Sequence, residues 1–156
     1  MISYITGDVT CPQGDGLKIL IHIVNNLGGW GRGVVVAISR RWVKPEQSYR
    51  LWHAKDDNFT LGMVQLVRVQ DDLIVANMVA QNGYSYKDNP AIDYNALRTC
   101  LSKVAKRAKE LGAKIIAPRL GCGLACGTWT EVEQILQETM DDLDVTVYDL
   151  PTKENI

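Results

Sequence analysis

Histidine occurs only twice, at His22 and His53, and phenylalanine only once, in a chain of 156 residues. The four cysteines, Cys11, Cys100, Cys122 and Cys126, form no pair of C-x-x-C units and have no neighbouring histidines, so the spacing of a structural zinc site is missing and no metal is expected. Seventeen Lys and Arg stand against 18 Asp and Glu, a formal charge of −1. A protein that grips nucleic acid through its phosphates needs a clustered cationic excess, so no direct nucleic-acid partner is expected. No apolar run approaches the roughly 20 residues that span a bilayer. The opening Met1-Ile2-Ser3-Tyr4-Ile5-Thr6 reads at once as a strand, without the basic and apolar regions of a signal peptide. A cytoplasmic protein with reduced thiols and no membrane partner is the expectation.

What is present is a regular alternation of short apolar runs and amphipathic stretches, the pattern of an α/β domain. Ile2 to Thr6 reads as a first strand, and Leu17 to Val24, apolar on both faces, as a central strand covered by helices. A helix is expected from Arg32 to Trp42, and a short one opened by Pro45 that runs through Tyr49 and Trp52. Leu61 to Val69 and Leu73 to Val79, joined through Asp71-Asp72, read as an antiparallel pair, which makes the sheet mixed. The longest helix is expected from Tyr94 to Leu111, ending at Gly112. A strand at Lys114 to Ala117, a helix from Trp129 to Met140 and a last strand at Val145 to Tyr148 complete a single domain of 1–156, with a polar tail from about Pro151. Gln81 to Ala91 is the longest irregular segment, of a length often put to functional use.

Two glycine-rich segments carry the chemistry. Asn25-Asn26-Leu27-Gly28-Gly29-Trp30-Gly31-Arg32-Gly33 and Pro118-Arg119-Leu120-Gly121-Cys122-Gly123-Leu124-Ala125-Cys126-Gly127 each follow a strand and precede a helix. Backbone N–H groups converge at such places on an anion, and glycine lets them approach it closely. Two such loops suit a diphosphate.

The motifs Thr6-Gly7-Asp8, Val24-Asn25 leading into G-x-W-G-x-G, Pro118-Arg119-x-Gly121-Cys122-Gly123-Leu124 and Val147-Tyr148-Asp149-Leu150 together resemble the macrodomain family, in the family's order and over essentially the whole chain. The resemblance implies a three-layer α/β/α fold with a mixed central sheet and a cleft for ADP-ribose. It is greatest toward the branch containing the yeast ADP-ribose 1″-phosphate phosphatase and related phage and bacterial proteins, which shares L-I-H-x-x-N (Leu20 to Asn25). That branch implies hydrolysis of ADP-ribose 1″-phosphate to ADP-ribose and phosphate, with no cofactor. A reader without turnover and a hydrolase of ADP-ribosylated macromolecules are the alternatives. The lysine used by the branch that frees ADP-ribose from carboxylates or DNA bases is replaced by Gln81, and its aspartate after G-C-G-L by Ala125.

Residue by residue, the resemblance implies that Asp8 accepts from the adenine amino group while the Val9 backbone reads the ring; the plain alternative for Asp8 is a turn cap. Asn25 is implied to hold the distal ribose, against a plain role in tying off loop carbonyls. Gly28, Gly29, Gly31 and Gly33, with Arg32 among them, face Gly121, Cys122, Gly123, Leu124, Ala125 and Cys126 across a diphosphate. Trp30 is expected to cover the ligand or pack beside the distal ribose, and Tyr148 is either a core tyrosine or a stacking partner for adenine. A lone His22 among apolar neighbours is more often a core residue; the resemblance gives it, with Asn25, the catalytic role of orienting or activating a water. Trp42, Trp52 and Trp129 read as core and His53 as surface.

Overall fold

The computed structural model describes residues 1–55, 58–85, 89–123 and 125–151. Among these, the strands are β1 (Ile2–Thr6), β2 (Lys18–Asn25), β3 (Val64–Gln70), β4 (Leu73–Gln81), β5 (Lys114–Ala117) and β6 (Val145–Asp149). The helices are α1 (Val34–Arg41), α2 (Lys44–Lys55), α3 (Tyr94–Leu111) and α4 (Trp129–Thr139). One sheet runs in the order β1-β6-β5-β2-β4-β3, parallel except for the antiparallel β3–β4 pair, so the expected mixed sheet is found.

β2 and β4 are apolar on both faces because helices cover both. Ile19, Ile21, Ala76 and Met78 share a core with Leu97 and Leu101 of α3 and Val132 and Leu136 of α4. Their neighbours Leu20, Val24, Val75 and Val79 share the other core with Val35 and Ile38 of α1 and Tyr49 of α2. α3 spans the expected residues: Asp93 Oδ1 accepts from Ala96 N at 2.9 Å to cap its start, and Gly112 ends it.

Some expectations are corrected. The helix expected from Arg32 starts at Val34, because Gly33, at φ +82°, lies outside helical geometry and turns the chain into α1. The strand expected from Leu61 starts at Val64: Met63 N donates to Thr60 O at 3.1 Å, closing a turn over Leu61 and Gly62. Trp42, Trp52 and Trp129 are half-buried flanks rather than core, whereas Trp30 is buried. The tail beyond Pro151 lies outside the described residues.

From β2 the chain crosses to the β4 side through α1 and α2, and from β5 to the β6 side through α4 on the opposite face. Connections that leave two adjacent parallel strands in opposite directions open a crevice at their carboxyl ends. Both glycine segments follow these two strands.

Candidate functional site

A cavity of about 710 Å³ occupies this crevice, within the range of roughly 300–1,000 Å³ usual for small-molecule sites. Gly7, Asp8, Val9 and Tyr148 line one end, His22 and Ile23 the floor, Arg32 and Gly33 with the start of α1 one wall, and Arg119 to Gly123 with Ala125 the other. Asp8, Val9, His22, Arg32, Gly33, Gly121, Cys122, Gly123, Ala125 and Tyr148 are therefore brought together as expected. Asn25, Gly28, Gly29, Trp30, Gly31 and Cys126 do not line this cavity. Leu124 lies outside the described residues.

At the Asp8 end the plain reading of the carboxylate, a turn cap, is found. Asp8 Oδ1 accepts from Thr10 Oγ1 at 2.7 Å and Thr10 N at 2.9 Å, closing a turn. These bonds, the hydroxyl's foremost, hold the carboxyl below its ordinary value against the effect of partial burial. Oδ2 has no protein donor among the described residues. Tyr148 is at once core and wall: its ring is buried, and its hydroxyl accepts from Gln13 N at 2.9 Å.

The first glycine segment is folded onto Asn25. Oδ1 accepts from Leu27 N at 2.9 Å and Gly29 N at 3.1 Å, and Nδ2 donates to Gly29 O at 3.0 Å. The buried Tyr49 supplies a second anchor: its hydroxyl donates to Asn25 O at 2.6 Å and accepts from Gly28 N at 3.1 Å. Burial pushes the phenol up to about 12, so it keeps its proton. Asn25, expected on a ribose, has its carboxamide committed to its own loop, and the amides of Leu27, Gly28 and Gly29 are spent there too. Trp30 does not cover the cleft; its indole is buried between His22 and Tyr49, with Nε1 donating to Ser39 Oγ at 2.7 Å. Tyr49→Phe is expected to cost about 1–2 kcal/mol, by chemical denaturation, and to speed hydrogen exchange at Gly28. Unchanged exchange there would show that the loop does not depend on the hydroxyl.

The second segment closes on itself through Gly127 N to Gly121 O at 2.6 Å, Cys126 N to Gly123 O at 3.1 Å and Cys122 N to Arg119 O at 3.3 Å. The amides of Cys122 and Cys126, expected to face a phosphate, thus fold the loop instead. Those of Gly121, Gly123 and Ala125 have no protein acceptor among the described residues. Gly121 has φ +67°, and a Cβ there would overlap Ile92 Cδ1. Gly121→Val is expected to cost about 2 kcal/mol of stability and to weaken ligand binding, checked by melting and calorimetry.

Charge is divided unevenly around the cleft. Arg119 donates from Nε and Nη2 to Asp149 Oδ1 and Oδ2 at 2.7 and 2.9 Å, and its guanidinium lies 4.9 and 4.7 Å from the Tyr4 and Trp129 ring centres. This pairing lowers the Asp149 carboxyl and neutralises Arg119. Arg32 forms no ion pair among the described residues. It stands at the start of α1, whose first turn has no side-chain cap and no acidic residue, so orphan amides and a free cation meet on one wall.

His22 is completely buried on the floor. Its Nε2 lies 2.5 Å from Asn77 Oδ1, and Nδ1 has no partner among the described residues. Burial pushes its pKa down to about 4, opposed by the Asn77 bond, so the imidazole is neutral at physiological pH. Asn77 and Tyr49 escaped the sequence reading. The signal for Asn77 was an amide inside the otherwise apolar Leu73–Ala80 run, because a buried amide demands partners.

No family model matches the chain. A solved macrodomain protein from Streptomyces coelicolor is 45% identical, with 96% of this chain and 99% of that chain covered and a TM-score of 0.86. The chromodomain-helicase-DNA-binding protein 1-like of Mus musculus is 30% identical over 157 residues, 94% of this chain; the chain spans only 17% of that protein's length. The ADP-ribose 1″-phosphate phosphatase of Saccharomyces cerevisiae is 26% identical, with 96% of this chain and 98% of the yeast protein covered.

Proposed function

The chain belongs to the macrodomain family, and from that premise we propose that its cleft binds ADP-ribose and that the protein hydrolyses ADP-ribose 1″-phosphate to ADP-ribose and phosphate. The observation that carries the reading is one cavity with an acceptor-only carboxylate, Asp8, at one end and the uncapped start of α1 facing the Gly121–Ala125 loop further along. The likeness over nearly the full length of the yeast phosphatase supports the substrate.

In this reading Asp8 Oδ2 accepts from the adenine amine and the Val9 backbone meets the ring. The diphosphate lies between the α1 amides, with Arg32 as counter-charge, and the free amides of the second loop. Water attacks the phosphorus of the 1″-phosphate, the bond from phosphorus to the 1″ oxygen breaks, and one water proton passes to that oxygen, leaving ADP-ribose and hydrogen phosphate; the negative charge that develops is met by preorganised N–H donors. His22 orients the water, since a base with a pKa near 4 removes protons poorly at pH 7. Asn25 acts through the loop it folds.

Calorimetry tests the binding: ADP-ribose should bind in the micromolar range, AMP much more weakly, and Asp8→Ala should cost about 1–3 kcal/mol. Equal affinity for AMP and ADP-ribose would sink the two-ended cleft. Phosphate release from ADP-ribose 1″-phosphate tests the reaction, and binding without release would make the protein a reader. By the family resemblance, Gln81, whose Nε2 donates to Gly83 O at 2.9 Å, and the buried Ala125 take the positions of the lysine and the aspartate that the lysine-dependent branch uses. Release of ADP-ribose from glutamate esters or DNA bases should accordingly be slight, and rapid turnover on either would overturn the choice of branch.

A further inference from the structure

We infer that Asn77 is a positioning residue for the cleft: it fixes His22 as the Nε2–H tautomer and so presents the His22 Nδ1 lone pair on the floor as an acceptor for a ligand hydroxyl or a water. The inference deepens the reading of the cleft as an ADP-ribose site, on which its ligand half rests.

The register of three neighbouring strands sets the arrangement. His22 of β2 lies opposite Asn77 of β4, and Asn77 lies opposite Gln65 of β3. Asn77 Nδ2 donates to Gln65 Oε1 at 3.0 Å and to Pro45 O at 3.2 Å. Gln65 Nε2 donates in turn to Ser48 O at 3.0 Å. Backbone carbonyls only accept, so the two carbonyls of α2 determine which way each amide points. Asn77 therefore aims its oxygen at His22, and flipping it would set its oxygen against two acceptors.

An amide oxygen 2.5 Å from Nε2 requires that Nε2 carry the proton. A neutral imidazole has one N–H, so Nδ1 is left as a lone pair. His22 lines the cavity and is fully buried, and Nδ1 has no protein partner among the described residues. Such an acceptor selects its contact by chemistry. It takes a sugar hydroxyl or a water and repels an ionised phosphate oxygen, which also only accepts. His22 thus meets the water or the ribose rather than the phosphate.

The chain has only two histidines, so imidazole nitrogen NMR of ¹⁵N-labelled protein is readily assigned, with His53→Asn identifying the second set. At pH 7 the free protein should show His22 as a single neutral tautomer, protonated at Nε2 and bare at Nδ1. Added ADP-ribose should shift the Nδ1 resonance in the sense of an accepted hydrogen bond. Gln65→Leu takes away one of the two acceptors that orient Asn77 and leaves Pro45 O, and should keep the tautomer. Asn77→Leu removes the amide oxygen and should give a tautomer mixture, with phosphate release down about tenfold or more and ADP-ribose affinity changed far less. Gln65→Leu and the wild-type spectrum decide the matter should Asn77→Leu fail to fold. An Nδ1–H tautomer in the wild type, or an unchanged tautomer in Asn77→Leu, overturns the inference whatever the cleft binds. An Nδ1 resonance indifferent to calorimetrically bound ADP-ribose overturns its ligand half alone. Absence of ADP-ribose binding overturns that half together with the cleft reading.

Discussion

Between pH 6.5 and pH 4 the protein is expected to lose about 3 kcal/mol of stability through His22 alone. The folded imidazole has its pKa pushed from the ordinary 6.5 down to about 4 by burial, while the unfolded chain keeps the ordinary value. Below pH 6.5 the unfolded state therefore takes up a proton that the folded state refuses, and stability falls with pH until both forms are protonated near pH 4. Above 6.5 the contribution is flat. The interval is worth about 3 kcal/mol at roughly 1.4 kcal/mol per pH unit. The carboxylates lowered in the fold, Asp8, Glu138, Asp142 and Asp149, lose their contribution as pH falls below their ordinary values of 4.5 for Glu138 and 3.8 for the others, so the upper part of the window, from 6.5 to about 5, belongs to the histidine. Urea unfolding across the pH series checks it, with His22→Gln as the reference that lacks the slope. A wild-type curve level from 6.5 to 4.5 would show that the imidazole is hydrated or charged in the fold.

Phosphate release from ADP-ribose 1″-phosphate should fall by about 10²-fold in His22→Ala, the scale of a reacting group left misplaced. Since His22 makes no contact with a phosphate in the arrangement proposed, affinity for ADP-ribose should change far less than the rate. Deleting the ring also takes away the Asn77 bond and a contact with Trp30, so the melting temperature and the folded fraction must be measured beside the rate. A folded variant that hydrolyses at the wild-type rate would leave His22 a purely structural residue.

How much was legible in the sequence follows from how local each signal is. α3 was placed at both ends because its apolar period, Leu97, Leu101, Val104 and Ala108, and its terminal Gly112 are written within one segment. The first turn of α1 was misplaced because the backbone angle of Gly33, rather than any side-chain pattern, decides it. Asp8, Gly33 and Gly121 were found by motif and do line one cavity. The bonds that spend the Asn25 carboxamide come partly from Tyr49, 24 residues away, and the Asn77 to His22 bond spans 55. Pairings of that reach depend on strand register, which alternation alone does not supply. Trp30, expected over the ligand or beside the distal ribose, is instead held in the core by tertiary contacts with His22, Tyr49 and Ser39.

The loop that leads into the α1 wall of the cleft, itself outside the cavity lining, is already assembled, its amides at Leu27, Gly28 and Gly29 satisfied and Asn26 bonded to Gln81 O and Gly83 N. The second wall holds amides at Gly121, Gly123 and Ala125 that have no protein acceptor among the described residues. Loss of conformational entropy on binding then falls mainly on one side, which lowers the total penalty for a loop-lined site. Heat capacity and entropy of association should respond to substitutions in the second loop more than to those in the first. Ligands that differ where the second loop closes would then be sorted by how long they stay, more than by how fast they arrive.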